Sequence, residues 1–293
     1  MHESLGRRWA VAAAACGAAA ALAACSHAHV TNGMDMEDMG QPSGPRIAAA
    51  IPADNGLDGG VSGYVYFTGA TTLAADKPET FTFHITGPSG KTVTRFQPYE
   101  GQLLVFYVVR TDLGDFRRLS ASMRDDGTWT VAMPALAAGG YRTYVTFAAP
   151  DSSAGTPLSY SLSQPLTVSG GASKSVALPA AADTATVDGY TLRLTGSPHR
   201  GTESELGVVV TKDGQQVQQF GRLLDGYAHL TAFHSGDAAF ARGLSTGRAG
   251  GGPSGGGALT TQILFPESGT WRLFVQFETS GAEHTASFIV DVP

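Results

Sequence analysis

The chain has 293 residues, 42% hydrophobic and 15% charged, enough to bury a core and too apolar for disorder along its whole length. Lys+Arg 19 against Asp+Glu 25 gives a net charge of -6, which argues against a phosphate-binding surface of clustered bases and so against a nucleic-acid partner. Gly is abundant, at 38 residues, and favours turns and short strands over long helices.

Residues 1–24 read as a lipoprotein signal peptide. Arg7 and Arg8 form a basic start, and Trp9 to Ala24 is an Ala-rich apolar stretch too short for a comfortable membrane span. It closes on Leu22-Ala23-Ala24-Cys25, the small-residue pattern of a bacterial lipobox, with Cys25 as the lipidation site. The alternative is an ordinary secretory signal with a chance Cys. Cleavage before Cys25 removes Cys16 and leaves an acylated Cys25, so no disulfide forms even in an oxidising compartment.

Residues 25–60 have few large apolar side chains and read as a flexible tether. The tether holds His27 and His29, then Met34, Met36 and Met39, which are half of the six Met residues. Thioether sulfur suits Cu(I) and imidazole suits either copper state, so these five side chains are the candidate metal ligands. The competing reading is a polar spacer with chance Met.

From Val61 onward, short β-prone runs alternate with turn signals. The first series is Tyr64–Phe67, Phe81–Ile85, Leu103–Val109, Thr128–Met133 and Tyr141–Phe147. The second is Tyr190–Leu194, Leu206–Val210, Ala228–Phe233, Leu259–Phe265, Trp271–Phe277 and Thr285–Val292. Leu162–Val168 and Ser175–Leu178 are candidate closing strands between them.

The two series repeat. Gly90, Val93, Phe96 and Phe116 match Gly214, Val217, Phe220 and Phe240 at a constant offset of 124. Gly140-Tyr141-Arg142 with Tyr144, Val145 and Phe147 matches Thr270-Trp271-Arg272 with Phe274, Val275 and Phe277 at an offset of 130. The extra residues fit the Gly-rich loop Gly247–Gly257. The expectation is all-β: two tandem immunoglobulin-like β-sandwich domains, residues 61–168 and 187–293, joined by a linker over 169–186.

Val108-Val109-Arg110-Thr111-Asp112-Leu113 with Phe116, and the Gly-x-Tyr/Trp-Arg strands, carry a resemblance. The chain resembles an uncharacterised group of actinobacterial secreted proteins and lipoproteins with paired β-sandwich domains described as heavy-metal-binding. That resemblance implies a His-x-His pair in each copy. Here those positions hold Arg118 with Ser120 and Arg242 with Leu244, and a protonated guanidinium cannot ligate a metal. His229 stands where the first copy has Val105 and is the remaining candidate ligand in the domains. An odd spacing sets His229 and His234 on opposite strand faces, and His229 reads better as a structural histidine. His84, His199 and His284 look isolated. Trp129, Trp271, Tyr141, Tyr144, Phe147, Phe274 and Phe277 read as core rather than as a ligand platform.

No nucleophile-elbow or zincin motif occurs, so an enzyme is the least favoured class. The leading expectation is non-catalytic copper handling at the outer face of the cell membrane, with the membrane engaged through the lipid. The alternatives are an envelope module that binds a protein or glycan without metal, and a structural accessory lipoprotein.

Overall fold

The structure, a computed structural model, describes residues 54–149, 158–248 and 258–293. It is all-β, with no helix among the described residues. The first copy holds β1 (Gly60–Val61), β2 (Tyr64–Thr68), β3 (Thr72–Ala74), β4 (Glu79–Thr86), β5 (Val105–Arg110), β6 (Phe116–Leu119), β7 (Ala121–Met123), β8 (Trp129–Met133), β9 (Gly139–Ala149) and β10 (Leu158–Ser169). The second holds β11 (Thr184–Val187), β12 (Tyr190–Thr195), β13 (Glu203–Lys212), β14 (Gln215–Gln216), β15 (Ala228–His234), β16 (Phe240–Arg248), β17 (Leu259–Leu264), β18 (Gly269–Thr279) and β19 (Ala282–Val292).

Alternation builds these strands. In β4, Phe81, Phe83 and Ile85 are buried while the Thr and His between them are not; in β12, Tyr190, Leu192 and Leu194 point inward. The first copy is a sandwich of two five-stranded sheets, β1-β2-β4-β8-β7 and β3-β10-β9-β5-β6. Its core includes Tyr66, Phe81, Phe83, Phe106, Trp129 and Phe147. The second copy forms one nine-stranded sheet, β11-β12-β13-β17-β16-β15-β18-β19 with β14 beside β13, around Leu192, Leu230, Ile263, Trp271 and Phe277. Its two ends approach where the Ala182 N–H donates to the Ile289 carbonyl at 3.1 Å.

The repeat explains the difference between the copies. β6 and β7 together correspond, 124 residues on, to β16. In the first copy the chain breaks at Ser120, and β6 and β7 join different sheets. In the second, β16 runs on through a register shift between Ser245 and Gly247, so it pairs with both β15 and β17 and merges the two layers. Gly90 (φ 71°) and Gly214 (φ 76°) hold the same left-handed turn conformation, which glycine adopts without a Cβ penalty.

Several expected elements shift. The strand expected from Leu103 starts at Val105, and Leu103 is exposed. Leu162–Val168 lies within β10. Ser175–Leu178 forms no strand: its Val176 N–H donates to Asp112 Oδ2, and Leu178 packs between the copies. β6, β7, β11 and β16 complete the sheets.

Candidate functional site

β5 is buried at every position: the apolar run Val105–Val109 requires it, and Arg110 at its end is buried too. Phe106 and Val108 fill the first sandwich. Val105, Tyr107 and Val109 face the other way, into a third core with Phe116, Tyr144, Phe233, Phe240 and Phe274. This core fuses the two copies. Phe116 stacks on Phe274 with centroids 4.4 Å apart, and the Tyr144 hydroxyl donates to the Ala238 carbonyl. The chain from Asn55 straps the junction: the Asn55 carbonyl accepts the Phe240 N–H at 2.7 Å and the Leu57 carbonyl accepts from Arg142 at 3.0 Å.

A buried polar cluster completes the junction. The Tyr107 hydroxyl lies 2.9 Å from His229 Nε2, with the rings 8° from parallel. His229 Nδ1 faces Glu100 Oε2 at 3.5 Å. Glu100 Oε1 meets Arg242 Nη2 at 2.9 Å, and the Arg242 guanidinium lies 4.1 Å over the Tyr99 ring. The Arg242 side chain has 0% exposure, and its Nε and Nη1 have no hydrogen-bond partner among the described residues. Burial, and then the positive charges of Arg242 and Arg118, hold His229 well below the ordinary histidine value of 6.5, so it is neutral. Burial raises the Glu100 carboxyl, against the pull of Arg242. It also pushes the Tyr107 phenol far up.

Register shows what became of the positions where the resemblance implied ligands. Val105 pairs with Thr146 and His229 with Gln276; Tyr107 pairs with Arg118 and Thr231 with Arg242. Arg118 and Arg242 are therefore equivalent, and each reaches the opposite copy. Arg118 meets Glu283 at 2.6 Å and Gln276 at 2.9 Å, while Arg242 meets Glu100. Arginines stand at the implied ligand positions and bind the copies together.

The other sequence candidates fall as follows. Cys25, His27, His29, Met34, Met36 and Met39 lie outside the described residues, as do residues 249–257 of the Gly-rich loop. His229 is buried between the copies, on the face of β15 opposite His234, which packs by Trp271. The seven aromatics read as core are all buried. Arg142 and Arg272 donate to matching serines, Ser163 and Ser287, and to the Leu57 and Leu113 carbonyls.

His284 corrects the expectation of an isolated residue. It is buried, with Nδ1 2.8 Å from Asp188 Oδ2 and Nε2 3.0 Å from Thr279 Oγ1. This has the order of a nucleophile, base and acid. Thr279, however, is only 4% exposed, and its hydroxyl donates to Tyr190 at 2.7 Å, so the chain of contacts clips two hairpins together. Glu100, Tyr107 and Glu283 escaped the sequence reading because their partners are remote in the chain.

A second feature is on the surface. The outward residues of β2, β4, β7 and β8 are Val65, Phe67, Thr80, Thr82, His84, Thr86, Ser122, Thr130 and Ala132, with no Asp, Glu, Lys or Arg among them. Phe67 is 46% exposed and stacks on His84 at 5.1 Å and 14°.

Residues 185–293 match a family described as "Domain of unknown function (DUF8832)". No curated protein matches the chain by sequence. Similar solved structures include the Escherichia coli adhesin FdeC (14% identity, 83% of this chain and 66% of that one, TM-score 0.25). Yersinia pseudotuberculosis InvD is similar too (14% identity, 78% and 57%, TM-score 0.25), as is invasin, a bacterial integrin-binding protein (13% identity, 84% and 41%, TM-score 0.22). The chain thus spans 41 to 66% of the length of these structures.

Proposed function

We propose that this chain is a non-catalytic interaction module, anchored through Cys25 at the outer face of the cell membrane, that docks an envelope protein on the outer face of its first sheet. The uncharged strand face around the exposed Phe67–His84 stack carries this reading. Interface centres are depleted of charge and enriched in aromatic anchors, and docking there releases no ion from water. The fused junction supports it, because a face held on one rigid body loses little entropy on binding.

A photo-crosslinking residue at position 67, compared with one at exposed Arg193, tests the reading on intact cells. Adducts with a defined envelope protein from position 67, absent from position 193 and abolished by His84→Glu beside the probe, are the expected result. Equal labelling from both positions refutes it.

The Met/His tract favours a second reading, copper capture by His27, His29, Met34, Met36 and Met39. Titration with Cu(I) against a competing chelator, with and without residues 26–39, decides it: only binding that disappears with the tract supports it.

A further inference from the structure

At the end of β15 the chain turns back into β16 through Ser235 and Gly236, and three potential ligand atoms converge there. His234 Nδ1 lies 2.8 Å from Asp237 Oδ1 and 3.8 Å from Glu267 Oε1. All three atoms lie within 4.8 Å of one another. Two separate segments supply them, and both are braced. The Asp237 carboxylate accepts the Ala239 N–H at 2.9 Å, and the Glu267 carbonyl accepts the Trp271 indole N–H at 3.2 Å. The Trp271 ring lies 5.2 Å from the imidazole.

Two independent observations set this corner apart from an ordinary surface cluster. First, Glu267 Oε1 is shielded from solvent and has no hydrogen-bond partner among the described residues. The Glu267 side chain as a whole is 37% exposed, yet this oxygen faces inward, 3.8 Å from His234 Nδ1, where a bound cation supplies the partner it lacks. Second, the repeat provides a control. The equivalent of His234 in the first copy is Arg110, whose guanidinium faces Asp112 at 3.6 Å and donates to the Ala138 carbonyl at 3.3 Å. Both side chains press on equivalent glycines, Gly139 and Gly269. The first copy fills its corner with a covalent cation; the second has a shorter imidazole and two converging carboxylates.

We propose that His234 Nδ1, Asp237 Oδ1 and Glu267 Oε1 form a three-ligand site for a divalent transition cation of the Zn²⁺ class, with a fourth position open to water. Tetrahedral zinc with nitrogen and oxygen ligands at about 2.0–2.2 Å sets those ligands roughly 3.3 Å apart. The separations of 2.8 and 3.8 Å bracket that value, so small side-chain rotations complete the site. Imidazole selects against Ca²⁺ and Mg²⁺, which take all-oxygen shells. Two carboxylates neutralise the ion. The site uses none of the residues proposed for the docking face or for copper capture.

The test uses the full chain with alanine at His27, His29, Met34, Met36 and Met39, which silences the tether. Zn²⁺ is titrated against a chromophoric competitor, and Co²⁺ replaces it for visible spectroscopy. The expected result is one equivalent bound, an intense tetrahedral Co²⁺ spectrum, and affinity weakened at least about tenfold by Asp237→Asn or Glu267→Gln. Both variants keep the size of the native residue and remove its charge, and thermal unfolding verifies that they fold. As a second readout, Zn²⁺ shifts the His234 imidazole resonances in the tether-silenced chain. Absence of binding, or binding unchanged in Asp237→Asn and Glu267→Gln, overturns the site.

Discussion

Tyr107 of the first copy and His229 of the second meet ring against ring in the buried junction, hydroxyl to Nε2 at 2.9 Å. With Nδ1 turned to Glu100, Nε2 is the acceptor and the tyrosine its donor. Tyr107→Phe keeps the ring packing and strands a buried acceptor, which costs about 1–3 kcal/mol. Denaturant unfolding is expected to show a lower midpoint with an unchanged slope. An unchanged midpoint means that the contact contributes nothing.

The same histidine predicts acid sensitivity. His229 is held well below 6.5 in the folded protein, by burial first and by Arg242 and Arg118 next, whereas the unfolded chain titrates it normally. Below pH 6.5 the unfolded state therefore binds a proton that the folded state refuses. Its stabilising contribution is complete above that pH and is lost as pH falls toward the depressed folded value, by up to about 1.4 kcal/mol per pH unit. Stability measured from pH 7 to pH 5 is expected to fall less steeply in His229→Gln than in the natural protein. Parallel curves contradict the assignment.

The sequence revealed the tandem repeat because turn glycines and core aromatics recur at fixed offsets, and β9 and β18 keep that spacing in the folded sheets. It hid the junction. The run Val105-Phe106-Tyr107-Val108-Val109 announces a strand buried on both faces but not what covers the second face. β16 escaped because Ala, Gly and Ser give Phe240–Arg248 little strand propensity, and its pairing with β15 and β17 decides its shape. Polar clusters are invisible to periodicity. Asp188 and His284 are 96 positions apart, and Glu100 meets Arg242 from a loop.

Arg242 and Arg118 occupy one repeat position but differ in surroundings, so their losses should differ. Arg242 is fully buried against Glu100, whereas the Glu283 partner of Arg118 is 40% exposed. Arg242→Ala leaves Glu100 buried and unpaired, at about 3–5 kcal/mol. Arg118→Ala gives up a contact open to solvent at one end, worth about 1 kcal/mol. Arg242→Met combined with Glu100→Gln removes both charges and should destabilise by less than the sum of the two single changes. Additive losses in that double-mutant cycle rule out direct coupling.

Gly269 and Gly214 differ in both backbone strain and steric conflict. Both have positive φ, 130° and 76°. A Cβ at Gly214 meets nothing within 4 Å, so Gly214→Ala should cost only the conformational penalty, about 1 kcal/mol. A Cβ at Gly269 falls 2.4 Å from His234 Nε2, so Gly269→Ala must also push the imidazole away from its place beside Trp271. Its loss should exceed that of Gly214→Ala by about 1–3 kcal/mol, and the His234 resonances should move. Equal losses for the two variants, measured by denaturant unfolding, mean that the imidazole is free to step aside and that Gly269 does not fix the corner's geometry.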